Sequence, residues 1–165
     1  MISFKTVHKQ AISSITTITV CRWRAPISIA IYTPGNELNK ALDEIRFIRE
    51  CKPESSLIKQ WVTFHFYFET ILQDLPDIQQ LWNSSYDCAV AVEIDKRQPE
   101  QHHNSEKHAN HPGNVGLNVA REAALTHFIL AVDFKYYPSM DLVPKFLKMI
   151  ARNQAYLQRP ARRLA

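Results

Sequence analysis

The stretch HPGNVGLNVAREAALTHFILAVDFKYYPSMDLVPKFLKMI, residues 111–150, changes its hydrophobic period twice and so decides the fold. Over residues 114–125, Val115, Val119, Ala123 and Leu125 recur at helical spacing and read as the inward side, while Asn114, Asn118 and Arg121 share the opposite side. Phe128 to Val132 is an unbroken apolar run, which predicts a strand covered on both faces. The run stops at Asp133, passes Lys135 and ends in Tyr-Pro-Ser. Leu142, Phe146, Met149 and Ile150 then return to the helical period, with Ser139 or Asp141 as the cap and Pro144 tolerated in the first turn.

Working towards the N-terminus, residues 95–113, DKRQPEQHHNSEKHANHPG, are polar and broken by prolines, and read as a long loop. His102, His103, His108 and His111 lie in it, and a polar loop describes them better than a metal site. SYDCAVAVEI, residues 85–94, reads as a further strand. WVTFHFYF, residues 61–68, alternates Val62, Phe64, Phe66 and Phe68 with Trp61, Thr63, His65 and Tyr67, a strand with one apolar and one mixed face. His65, on the mixed face, reads as a hydrogen-bonded interior or rim residue. Leu38, Leu42, Ile45, Phe47 and Ile48 mark a helix opened by Asn36 and stopped by Pro53. Before it, PISIAIY and SITTITVCRW both read as β-rich. Strands alternating with helices predict an α/β fold with a largely parallel sheet.

With 165 residues, 45% of them hydrophobic and 22% charged, the chain has the composition of a soluble globular domain. Much of the net charge of +4 sits at the end, where Arg159, Arg162 and Arg163 form a solvated basic tail over residues 153–165. Basic residues clustered on a face with stacking aromatics would mark a nucleic-acid site, and here the aromatics lie inside strand-like runs, so no nucleic-acid partner is expected. Cys21, Cys51 and Cys88 have no metal-type spacing, and their odd number leaves at least one unpaired within the chain. No stretch approaches the ~20 apolar residues of a membrane span, and residues 1–20 are too polar for a signal-peptide core. Asn83-Ser84-Ser85 is a glycosylation sequon, usable only in a secretory lumen.

In open α/β sheets ligands bind beyond the carboxyl ends of the strands, and Asp133 ends the apolar run at such a place. Locally, the same carboxylate would serve equally well as the cap of the turn into Tyr-Tyr-Pro-Ser.

The block at 111–150 resembles glycosyltransferase family 49, the glucuronyltransferase-type enzymes of O-mannosyl glycan synthesis. Pro112, Asn114, Asn118, Ala120, Asp133, Pro138 and Ser139 match the family pattern in register. The earlier RWRAPISIAIYTPGNELNKALDEIRFIREC is similar to the family's opening strand and helix, and the resemblance covers about residues 22–152. It implies a GT-A-like, Rossmann-type sheet binding a sugar nucleotide. It further implies transfer of glucuronic acid from UDP-glucuronate to a glycan or glycoprotein acceptor of the α-dystroglycan type, in the Golgi membrane or lumen. By the resemblance, Asp133 is the metal residue for Mn2+ or Mg2+, and Asn114, Asn118, Arg121 and Lys135 line the donor. No catalytic base is assigned.

Three departures qualify the match. Lys135 stands where the family has its second metal carboxylate, which weakens or removes the ion site, because an ammonium is repelled by a divalent cation. Leu117 replaces an arginine and His111 a tyrosine. The family also continues past the last helix, so the whole chain, residues 1–165, reads as a single partial domain. The alternative to an active enzyme is an inactive fragment, or a relative that binds and modulates a full-length transferase.

Overall fold

The computed structural model describes residues 9–33, 38–68, 77–91, 113–132 and 136–152. Strands β1 (Ile27–Tyr32) and β2 (Val62–Tyr67) pair in parallel, Ile27 opposite Val62 and Tyr32 opposite Tyr67. Around them run the helices α1 (Lys9–Trp23), α2 (Leu38–Glu50), α3 (Ser55–Trp61), α4 (Ile78–Asn83), α5 (Gly113–Glu122) and α6 (Leu142–Arg152). The fold is α/β, and among the described residues its sheet has two strands.

Every residue of β1 is buried, because its two faces meet different partners. Ile27, Ile29 and Ile31 join Ile45, Phe47, Ile48, Ile58 and Val62 in the main core, with Val20 and Trp23 of α1 closing it. Ala30 and Tyr32, on the other face, meet Tyr67 and Ala120 of α5. Alternation along a strand divides the side chains in this way, and cover on both faces is what a parallel pair needs. The helix expected after Thr33 forms as α2, with Leu38, Leu42, Ile45, Phe47 and Ile48 buried. Asn36 lies outside the described residues.

SITTITVCRW is helical, not β. Thr16, Thr19, Val20 and Trp23 are all buried, and their spacing of three, one and three places them on one helical stripe. A β-branched residue costs only some tenths of a kcal/mol in a helix, so burial of that stripe outweighs propensity. Arg24 then takes a left-handed conformation (φ 48°), its N–H donating to the Val20 carbonyl, and Pro26 follows.

SYDCAVAVEI also departs from the expected strand: the chain is helical at 88–91, and residues 92–94 lie outside the described residues. Asp87 Oδ1 accepts from the N–H groups of Ala89 and Val90, the bonds of an N-cap, which commit the chain to a helical turn. A disulfide joins Cys88 to Cys51 at the end of α2 and leaves Cys21 free. Arg46 reinforces the junction, donating to the Ser84 carbonyl and hydroxyl and lying 4.7 Å from the Tyr86 ring centroid.

The run Phe128–Val132 forms no strand. Thr126 Oγ1 donates to the Phe128 carbonyl, bending the chain, and Phe128 packs edge-on against Phe146 of α6 at 5.2 Å. Phe128, Ile129 and Leu130 are each more than 40% exposed, and only Val132 reaches the main core. An unbroken apolar run carries no strand period and fixes neither strand pairing nor burial, which is why the expected strand is absent here. In α6, Asp141 occupies the cap position with φ 59°, its carbonyl accepting from Lys145 N–H, and Pro144 falls in the first turn. The expected inward residues Leu142, Phe146 and Ile150 are half-buried, and Met149 is exposed.

Candidate functional site

Two contacts fix the direction of α5 on the sheet. At its N-terminal end Gly116 lies against the Tyr67 ring, and at its C-terminal end the Ala120 carbonyl accepts a 2.9 Å hydrogen bond from the buried Ser28 hydroxyl. Tyr67 closes the carboxyl end of β2, and Ser28 belongs to the amino end of β1. The helix therefore runs antiparallel to both strands, and its first turn, with Asn114, lies at their carboxyl ends. The positive end of a helix dipole favours an anionic ligand there.

The contact at Gly116 depends on a missing side chain. A Cβ built on it would stand 2.5 Å from the Tyr67 hydroxyl and 2.9 Å from the ring carbon bearing it. The glycine lets the helix approach the strand ends closely. Tyr67 in turn packs against Tyr32 at 5.4 Å, and the N–H of Thr33 donates to the Tyr67 carbonyl, joining the two strand ends. Among the described residues the buried Thr33 hydroxyl has no hydrogen-bond partner.

The face of the sheet under α5 is electrically neutral. Burial, and then the neighbouring Tyr32, push the Tyr67 hydroxyl up to about 12, so it is protonated at neutral pH. His65 shares that face, opposite Ala30 in the register. Its ring is half-buried and its pKa is lowered by burial, favouring the neutral imidazole. The reading of His65 as an interior or rim residue holds for its position; its Nε2, however, is buried without a partner among the described residues.

Asn114, Asn118 and Arg121 are all exposed on α5, on one side as the spacing predicted. The inward side is only partly the one expected: Val119 packs half-buried against the sheet and Ala123 is half-buried. Gly116 and Ala120 are the buried residues, Val115 is 47% exposed, and Leu125 lies wholly in solvent. The small residues face the sheet because the backbone comes so close to it. Asn114 and Arg121 stand about 10 Å apart along the axis at 1.5 Å per residue, so Asn114 lies towards the strand carboxyl ends and Arg121 towards the opposite end. Asp133, Lys135 and the histidines of the 95–113 loop lie outside the described residues. Among the described residues no three His, Cys, Asp or Glu side chains gather as a metal site.

Tyr32 and Tyr67 were read only as strand positions, Tyr32 at the end of its run and Tyr67 on the mixed face of the next. Gly116 carried a usable signal: a glycine inside an otherwise helical pattern costs about 1 kcal/mol and so points to a packing reason.

The model of a family described as glycosyltransferase for dystroglycan matches residues 9–164, nearly the whole chain. Comparison with curated proteins found no match, and neither did comparison with solved structures.

Proposed function

The chain belongs to the family of glycosyltransferases for dystroglycan, and from that premise we propose that it is a sugar-nucleotide-binding domain transferring glucuronic acid from UDP-glucuronate to a glycan acceptor. A glycosyltransferase needs a sugar donor and a glycan acceptor. The observation that carries the donor site is the antiparallel placement of α5, which brings a helix N-terminus and Asn114 to the carboxyl ends of β1 and β2. That is where a Rossmann-type sheet of the GT-A kind would hold a nucleotide diphosphate.

In the transfer, an acceptor hydroxyl oxygen bonds to the anomeric carbon of the sugar, the bond from that carbon to the β-phosphate oxygen breaks, and UDP departs with the electron pair. The acceptor proton passes to a base. Charge grows on the leaving diphosphate, and whatever stabilises it lowers the barrier. The resemblance implies Mn2+ or Mg2+ in this role, but the donor set of this chain does not fit such an ion. Asp133 is followed at i+2 by Lys135 instead of a second carboxylate, and the described residues supply no substitute cluster. Our reading gives the task to Lys135, with the N-terminal turn of α5 as second cation-like element. Asn118 lines the donor, and Arg121, two turns from Asn114, meets its far end.

The Cys51–Cys88 disulfide supports a secretory setting, since such bonds persist in oxidising compartments, and the Golgi is the member of that pathway the family suggests.

The test is calorimetric titration of UDP-glucuronate, with UDP-xylose and UDP-glucose as competitors, with Mn2+ and with EDTA, followed by mass analysis of an acceptor glycan. The expected outcome is UDP-glucuronate binding unchanged by EDTA, and an acceptor heavier by one uronate. Binding without transfer favours the second reading, a binding relative that modulates a full-length transferase, for which Lys135 is the specific evidence. No binding of any UDP sugar would overturn the donor site and leave the inactive fragment.

A further inference from the structure

We infer that Asn83 carries an N-linked glycan, standing at the rim of a groove between α2 and the segment after α4. Asn83-Ser84-Ser85 is the one Asn-x-Ser/Thr triplet in the sequence, and all three residues are exposed. Asn83 is the last residue of the six-residue α4, and the next residue, Ser84, is extended (φ −75°, ψ 146°). The acceptor amide thus sits exposed where a helix gives way to extended chain. The Ser84 hydroxyl is committed to the fold, donating to the Leu81 carbonyl and accepting from Arg46. It occupies the middle position, which the modification does not read.

An independent observation places the sequon in the right compartment. Cys88, five residues on, is bonded to Cys51. The oxidising lumen that sustains this bond is the lumen in which asparagine is glycosylated. In the step, the Asn83 amide nitrogen bonds to the anomeric carbon of a lipid-diphosphate-linked oligosaccharide. The bond from that carbon to the phosphate oxygen breaks, lipid diphosphate leaves, and a base takes the amide proton.

The groove beside the sequon has a volume of about 350 Å³, and its lining includes Arg46, Arg49, Glu50, Trp82, Ser85 and Tyr86. Trp82 is 45% exposed, with the Arg49 guanidinium 5.9 Å from its ring centroid. A glycan on the adjacent Asn83 shields this aromatic surface, which lies on the α2 face of the sheet, opposite the α5 face of the proposed donor site.

The test directs the chain into the secretory pathway of cultured cells with a cleavable leader and reads the total chain, extracted in denaturant, for a mobility shift reversed by peptide N-glycosidase. The shift is expected for the natural chain and for Ser84→Ala, and its complete loss for Asn83→Gln and for Ser85→Ala. Ser85→Thr retains it. A natural chain that shows no shift, or a shift that survives Asn83→Gln, overturns the inference. Alkylation of the same sample before reduction reports whether Cys51–Cys88 formed, so a folding failure is not mistaken for an unused sequon. None of these readouts depends on transferase activity.

Discussion

Gly116 leaves no room for a side chain beneath the Tyr67 hydroxyl, since a Cβ there would stand 2.5 Å from that oxygen. Helix propensity and packing therefore pull in opposite directions at this position. Gly116→Ala gains about 1 kcal/mol of propensity, while forcing a methyl group into a filled contact costs about 1–3 kcal/mol. Tyr67 is buried against Tyr32, so its ring has little freedom to withdraw. We expect net destabilisation, lowering Tm by about 2–4 °C per kcal/mol lost for a domain of this size. Adding Tyr67→Phe removes the nearest atom, and the double variant should recover part of the loss. A fully additive pair would mean that the contact is not what the glycine serves.

Linking α2 to the segment after α4 across 37 residues should contribute on the order of 4 kcal/mol, since the closed loop restricts the unfolded chain. Denaturant unfolding with and without reductant, compared with a Cys51→Ser/Cys88→Ser variant, measures this. Mass analysis after alkylation should count one reactive thiol, Cys21, before reduction and three after. Equal midpoints with and without reductant would contradict the assignment.

His65 makes stability depend on acidity. Burial lowers its folded-state pKa below the usual 6.5, so the unfolded chain binds the proton more tightly. Stability from this source is complete above about 6.5 and declines as the pH falls from there through the folded value. Thermal midpoints from pH 7.5 to 5 should fall more steeply in the natural protein than in His65→Gln. Parallel slopes would show that His65 is not the group responsible.

Tyr67 and Tyr86 act at the other end of the scale. Burial is the first cause for both, joined by Tyr32 at Tyr67 and by Asp43 at Tyr86, and both are pushed up to about 12 from an ordinary value of 10.0. The folded state then holds these protons more tightly, so stability is full below pH 10 and is lost as the pH rises towards 12. Ultraviolet titration should show tyrosinate absorbance delayed in the folded protein, and the delayed fraction should shrink in Tyr67→Phe.

How far the sequence foretold these features depended on whether local pattern and tertiary contact agreed. Helix α2 was legible because its apolar stripe and its buried face coincide. PISIAIY was legible because a strand covered on both sides is apolar throughout. SITTITVCRW misled because composition spoke for β while the spacing of Thr16, Thr19, Val20 and Trp23 spoke for a helix, and the stripe decides once α2 and α3 are there to cover it. The inward face of α5 was partly misread for a related reason: Val119 does pack against the sheet, but at a close helix–strand approach the buried residues are the smallest, Gly116 and Ala120, which a hydrophobicity pattern passes over. Asn114 and its neighbours could be named from a motif, but which of them lies at the strand carboxyl ends needed the Ser28 and Tyr67 contacts, which give the direction of the helix.

Lys135 is the position where one substitution should most change the chemistry. Replacing it with Asp, Lys135→Asp, exchanges a cation for an anion beside Asp133 and restores the i, i+2 carboxylate pair that can reach one divalent ion. In the natural protein we expect UDP-glucuronate affinity to be the same in Mn2+ and in EDTA. In Lys135→Asp the affinity in EDTA should fall, because two carboxylates then face the diphosphate, and Mn2+ should raise it again by on the order of tenfold, about 1.4 kcal/mol. Calorimetry in both buffers measures all four affinities. EDTA-sensitive binding by the natural protein would refute the replacement of the ion by Lys135. A variant indifferent to Mn2+ would instead mean that Leu117, standing where the family has an arginine, limits the donor site, and Leu117→Arg is the substitution to add to it.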